Sequence, residues 1–241
     1  MSKHHLRYVL LLCLCFTAGL VDVIGYLRLE HVFTANMTGN IVVLGMSLGR
    51  LHDLAIARVL TALVGFVIGN MIAAIIIGSD KSPSLWYYRV TTALIVEWGL
   101  LCTFALLAYL PLTETLVFVC LGSLSMAMGI QTTAARRLGI AGISTTVLTN
   151  NLVNAVEDMV AHVRQLLSGH PQSTSRLLST ESRLRILGIV LYACGAIIAT
   201  VLERHAPLLL SWIPVSLVTI VIVIALWKYS KSDTTPSTKK L

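Results

Sequence analysis

Two short polar stretches, Thr34-Ala-Asn-Met-Thr-Gly-Asn-Ile-Val42 and Thr145-Thr-Val-Leu-Thr-Asn-Asn-Leu-Val153, carry most of the hydrogen-bonding side chains that lie between long apolar runs. Overlaid, they are identical at four of nine positions. Hydroxyl and carboxamide groups both donate and accept hydrogen bonds, so residues of this kind at this spacing suit the binding of a polar solute. The candidate ligand-binding residues are Asn36, Thr38, Gly39 and Asn40 in the first copy and Thr145, Thr149, Asn150 and Asn151 in the second. Two acids, Asp22 and Glu97, interrupt apolar segments. Placing such a group mid-membrane costs on the order of 2.5–3.5 kcal/mol on insertion scales, so each needs a proton or a partner. Both are candidates for proton coupling. Gln131 and Asn70 are neutral polar groups in similar surroundings and are expected to support the site from behind.

Other chemistries find little footing. The five cysteines lie inside apolar runs without a C-x-x-C pair, and the seven histidines fall in loops and tails. We therefore expect no metal centre, no cofactor and no disulfide framework. No Ser/His or Cys/His arrangement suggests an activated nucleophile, and the chain is not expected to be an enzyme.

The elements that must position these residues follow from composition. Hydrophobic residues make up 56% of the chain and charged residues 12%, about half the charge of a soluble domain. Apolar runs at 8–27, 54–78, 88–110, 115–135, 184–203 and 208–227 each approach the roughly 20 residues that a helix needs to cross about 30 Å of hydrocarbon. The first of them reads as a retained helix rather than a cleaved leader. The polar segments at 32–49 and 139–158 are different: residues 144–154 hold seven hydrogen-bonding side chains in eleven. Lipid-facing helices do not carry that load, whereas re-entrant or broken helices shielded by protein do.

The expected fold is an all-α integral membrane domain over 1–241, with six transmembrane helices and two short re-entrant or broken helices. Its halves, 8–110 and 115–227, each read as long helix, polar short segment, long helix, long helix. Three spans per half is odd, so the second copy enters from the opposite face, giving a 3+3 inverted repeat. A cytoplasmic connector is expected at 159–183 and a disordered tail at 228–241. With the N-terminus inside, only Arg28, Arg50, Arg58 and Arg204 fall outside. An alternative with eight spans places more positive charge outside, so the positive-inside rule favours six, with N- and C-termini both cytoplasmic. Arg136 and Arg137 are most simply a cytoplasmic stop after a long helix, although they could also draw anions into a vestibule.

The net charge of +7 is spread over short loops and tails, which suits anionic lipid headgroups rather than nucleic acid. Phe33-Thr-Ala-Asn-Met-Thr-Gly-Asn40 after Gly19-x-x-Asp22, with Gly129-Ile-Gln131, Arg136-Arg137-Leu138-Gly139 and Ser144-Thr-Thr-Val147, resembles the YoaK-type bacterial membrane proteins of unknown function. That resemblance covers nearly the whole chain. It implies a multi-pass protein of the bacterial inner (plasma) membrane and supplies no established activity. Two functions follow from the residues: a small secondary transporter or channel for a polar or anionic solute, or a membrane scaffold or regulatory subunit whose polar segments only hold helices together. The lipid bilayer is the expected partner in both cases, and a homo-oligomer is compatible with either.

Overall fold

The computed structural model describes residues 2–50, 53–78, 86–138, 148–167 and 180–229. Among them there are eight helices: α1 (Lys3–Arg28), α2 (Met37–Arg50), α3 (Asp53–Ile77), α4 (Tyr88–Leu107), α5 (Glu114–Arg137), α6 (Leu148–Leu167), α7 (Thr180–His205) and α8 (Pro207–Tyr229). Six of these, all but α2 and α6, are long and apolar enough to cross a membrane. The six apolar runs of the sequence are therefore the six long helices.

The helix ends differ from the ends of the apolar runs for local reasons. Helix α1 starts well before its apolar stretch, at Lys3, because the Ser2 side chain caps it by accepting from the His5 N–H at 3.4 Å. Thr113 does the same for α5, accepting from the Leu116 N–H at 3.3 Å. Helix α4 stops at Leu107 instead of 110, as the residue before Pro111 is biased out of the α region. A proline at the first position of α8 starts that helix immediately after α7, and α8 continues through Pro214.

Burial sorts the long helices into layers. The membrane-crossing windows of α1 and α5 are 72% and 67% buried, those of α3 and α7 only 28% and 17%, and those of α4 and α8 44% each. Thus α1 and α5 form the centre, with α3 packed on α5 and α7 packed on α1. Glycines make both of these contacts close. A Cβ on Gly19 of α1 would overlap the carbonyl oxygen of Tyr192, and one on Gly195 of α7 would overlap that of Phe16. On the other side, Gly129 of α5 lies against the carbonyl of Phe66, and Gly69 of α3 against that of Met126. Small residues let helix backbones approach in this way, which matters in lipid, where the hydrophobic effect does not drive helices together.

Helix α2 has 14 residues, a length of about 21 Å at about 1.5 Å per residue, too short to span the hydrocarbon. It packs on α3, and α6 packs on α7. Arg185 of α7 donates to Asp158 of α6 at 2.7 Å, and Ser182 bonds the same carboxylate. From Leu148 the polar segment expected at 139–158 is helical and runs on to Leu167, while its first part, 139–147, lies outside the described residues; the expected connector at 159–183 thus begins inside α6 and ends inside α7. Its middle, 168–179, lies outside the described residues. Of the tail expected to be disordered at 228–241, Lys228 and Tyr229 belong to the last turn of α8, and the rest lies outside the described residues.

Candidate functional site

The turn from α1 into α2 is built by backbone geometry that the sequence alone does not announce. Glu30 and His31 both take left-handed conformations, with φ of 63° and 62°, a conformation that costs a non-glycine residue about 1–2 kcal/mol. The turn is held by the His31 N–H donating to the Tyr26 carbonyl at 3.0 Å and by the Tyr26 ring stacked on Phe33. It brings residues 33–36 back alongside α1, to Asp22.

Asp22 is 2% exposed and fully engaged. Its Oδ1 accepts from the backbone N–H groups of Thr34 (2.9 Å), Ala35 (2.6 Å) and Asn36 (3.3 Å) and lies 3.4 Å from the Thr34 hydroxyl. Its Oδ2 accepts from the Tyr192 hydroxyl on α7. One carboxylate therefore joins α1, the lead-in to α2 and α7. Asn36 then caps α2, its Oδ1 accepting from the Gly39 N–H at 3.1 Å.

Above this latch lies a cavity of about 940 Å³, within the size range of small-molecule sites. The start of α2 contributes Asn36, Thr38 and Gly39 to its wall. Phe66, Asn70 and Ala74 line it from one stripe of α3, at four-residue spacing. Helix α5 adds Thr132, Thr133 and Arg136, α6 adds Thr149, and α7 adds Tyr192. The Thr133 hydroxyl donates to Asn70 Oδ1 at 2.7 Å, and Asn70 Nδ2 donates to the Phe66 carbonyl at 2.8 Å.

The DUF1275 family, described as a protein of unknown function, matches residues 10–224. The chain is also similar to the UPF0700 transmembrane protein YoaK of Bacillus subtilis (strain 168). The two are 42% identical over 216 residues, which cover 88% of this chain and 91% of the relative. The chain belongs to this family. No solved structure matches it. Membership confirms the resemblance read from the Ala-Asn-Met-Thr-Gly-Asn string, and with six apolar spans it makes this a multi-pass transmembrane protein of uncharacterised function.

In this member of the DUF1275 family the sequence-predicted residues divide sharply. Asn36, Thr38, Gly39, Thr149 and Asn70 line the cavity. Asn40 does not: its Oδ1 accepts from the Phe33 N–H at 2.9 Å and its Nδ2 donates to the Phe33 carbonyl at 2.7 Å, so its amide is spent on bracing the loop. Asn150 is exposed away from the cavity wall, and Asn151 is buried and partnered. Thr145 lies outside the described residues. Gln131 faces α1, donating to the Leu14 carbonyl at 3.0 Å. Glu97 is fully buried in α4, away from the cavity, and neither carboxyl oxygen has a hydrogen-bond partner among the described residues.

Tyr192, Thr132, Thr133 and Phe66 are functional candidates that sequence reasoning did not assign to the site, and Arg136 is one it favoured as a cytoplasmic stop over a role in drawing anions inward. Spacing held part of the signal, because Gly129, Thr132, Thr133 and Arg136 recur at three to four residues and so share one face of α5. The two arginines of α5 separate: Arg137 donates to the Gly78 carbonyl at the end of α3, while Arg136 turns to the cavity.

Proposed function

We propose that this protein is a small secondary transporter or channel of the bacterial inner membrane, with one polar solute site between two inverted halves and both termini cytoplasmic. The observation that carries the reading is that Thr38 and Thr149, which occupy the same position in the two similar polar stretches, line a single cavity. Helix glue would need no shared cavity; a solute site does.

The helix crossings support the inverted arrangement. Phe16 and Gly19 of α1 meet Tyr192 and Gly195 of α7 through glycine-to-carbonyl contacts, and Met126 and Gly129 of α5 meet Phe66 and Gly69 of α3 in the same way. Each pair keeps a three-residue spacing. Exchanging α1 with α5 and α3 with α7 maps one crossing onto the other, and Phe66 and Tyr192, which correspond under that exchange, both face the cavity.

Vesicles reconstituted with the protein, challenged in turn with glycerol, urea, sodium nitrate, sodium acetate and sodium butyrate, should admit at least one solute faster than protein-free vesicles, as read by light scattering. Thr38→Trp places a large ring in the cavity from an exposed position and should reduce that flux at least tenfold. Equal flux in wild-type and Thr38→Trp vesicles for every solute would argue for a scaffold instead.

Glu97 is the proton-carrying carboxyl in this reading. On α3, α5 and α8, which pack against α4, the ionisable groups other than Cys120 sit towards the helix ends: Asp53, Arg58, Glu114, Arg136, Arg137, Lys228 and Tyr229. Nothing nearby on those helices thus compensates a charge on Glu97. Flux that responds to a pH gradient in the wild type should become indifferent to it in Glu97→Gln, which keeps shape and loses the titration. A preserved response would remove Glu97 from the mechanism.

A further inference from the structure

The cavity wall has a charge bias. Among the described residues that line it there is one ionic side chain, Arg136, and no carboxylate. Asp22 lies just behind Tyr192, but both of its oxygens are already occupied. Arg136 has no ion pair or hydrogen bond to any described residue, in contrast to Arg137.

The neutral groups add donors to that charge. Asn70 Oδ1 accepts from Thr133, and Asn36 Oδ1 accepts from the Gly39 N–H, so the two side-chain carbonyl acceptors of the wall are taken. In the first turn of α2, Met37 N–H bonds Ala35 and Asn40 N–H bonds Asn36, whereas Thr38 N–H has no partner among the described residues. What remains to meet a ligand includes the guanidinium fork of Arg136, the Thr38 amide and the Asn36 Nδ2, which only donate, and the Thr38 and Thr149 hydroxyls, which can donate or accept. The positive end of α2 adds to this field. Among the described residues of the wall a cation would find no carboxylate. An anion would find a bidentate donor.

The rest of the wall is apolar. Phe66, Met71 and Ala74 of α3 and Val42 of α2 face the same space, which is larger than a bare ion requires.

We propose that the cavity binds a small organic anion, its carboxylate or equivalent oxyanion on Arg136 and Thr38 and its short apolar body against Phe66 and Met71. This rests on reading the cavity as a solute site. The test uses the purified full-length protein in detergent and reads its thermal unfolding midpoint at constant ionic strength. Sodium butyrate, sodium acetate, sodium chloride, sodium nitrate and choline chloride are the probes. A ligand that binds the folded state raises the midpoint in a saturable way. Butyrate should do so in the wild type, more strongly than acetate, and Arg136→Gln should raise the half-saturating concentration at least tenfold, with Arg136→Lys intermediate.

Saturable stabilisation by chloride and nitrate but not by butyrate overturns the organic-anion assignment. Stabilisation that follows the cation, or that survives Arg136→Gln, overturns anion recognition altogether. Neither result touches the transport reading if flux remains sensitive to Thr38→Trp. Conversely, butyrate binding that depends on Arg136, with no flux for any solute, removes transport and leaves the anion site standing.

Discussion

Asp22→Ala should be the most damaging polar substitution in this chain, lowering stability by about 3–5 kcal/mol. The side chain satisfies three successive backbone N–H groups, of Thr34, Ala35 and Asn36, and the hydroxyl of Tyr192. A buried donor left without its acceptor costs about 1–3 kcal/mol, and here several are orphaned together where no bulk water is at hand. Conservative variants separate the two halves of this role. Asp22→Asn keeps an oxygen for the loop amides and loses the second acceptor; Tyr192→Phe removes the donor on α7 alone. Each should cost about 1–2 kcal/mol, and the double variant should cost less than their sum, because both act on one contact. Thermal unfolding of the purified protein checks all four. A loss under about 1 kcal/mol in Asp22→Ala would mean that the turn through Glu30 and His31 holds the loop unaided.

That role for Asp22 marks where sequence reading reached its limit. An acid within an apolar helix announces that something must compensate it, and the demand was legible. The compensation, however, comes from backbone amides 12 to 14 residues further on, and their arrival depends on two non-glycine residues adopting left-handed backbone. No side-chain pattern encodes that. Asn40 illustrates the same gap: it lies one helical turn after Asn36 and so shares its face, yet the returning loop takes up its amide before any solute could. The six spans, in contrast, follow from the length of apolar run alone, since hydrocarbon thickness sets that length. Arg136 and Arg137 read in sequence as a pair, most simply a basic stop and alternatively a lure for anions. Neighbours on a helix point about 100° apart, so only one of them can face the cavity while the other closes the end of α3.

The two glycine crossings supply the second large effect. At Gly129 the Cβ of an alanine would overlap the Phe66 carbonyl oxygen and approach the Asn70 nitrogen to 3.0 Å; at Gly19 it would overlap the Tyr192 carbonyl and come within 2.9 Å of its carbon. These are backbone atoms in the middle of helices, so no rotamer change relieves the clash and the helices must separate. Overpacking of this kind costs about 1–3 kcal/mol, occasionally more, and separation also removes the close packing that holds helices together in lipid. Gly19→Ala and Gly129→Ala should each fall at or above the upper end of that range and should resemble one another. Gly45→Ala and Gly99→Ala, where an added Cβ meets nothing within 4 Å, should be neutral or slightly stabilising, since alanine is the better helix former. The crossings also fix Phe66 and Tyr192 in the cavity wall. If the cavity is the proposed solute site, either damaging variant should therefore weaken solute binding as well as lower the unfolding midpoint, while the two control variants leave both unchanged. Unequal costs at Gly19 and Gly129, with one of them harmless, would count against the proposed equivalence of the two halves and the shared site that rests on it.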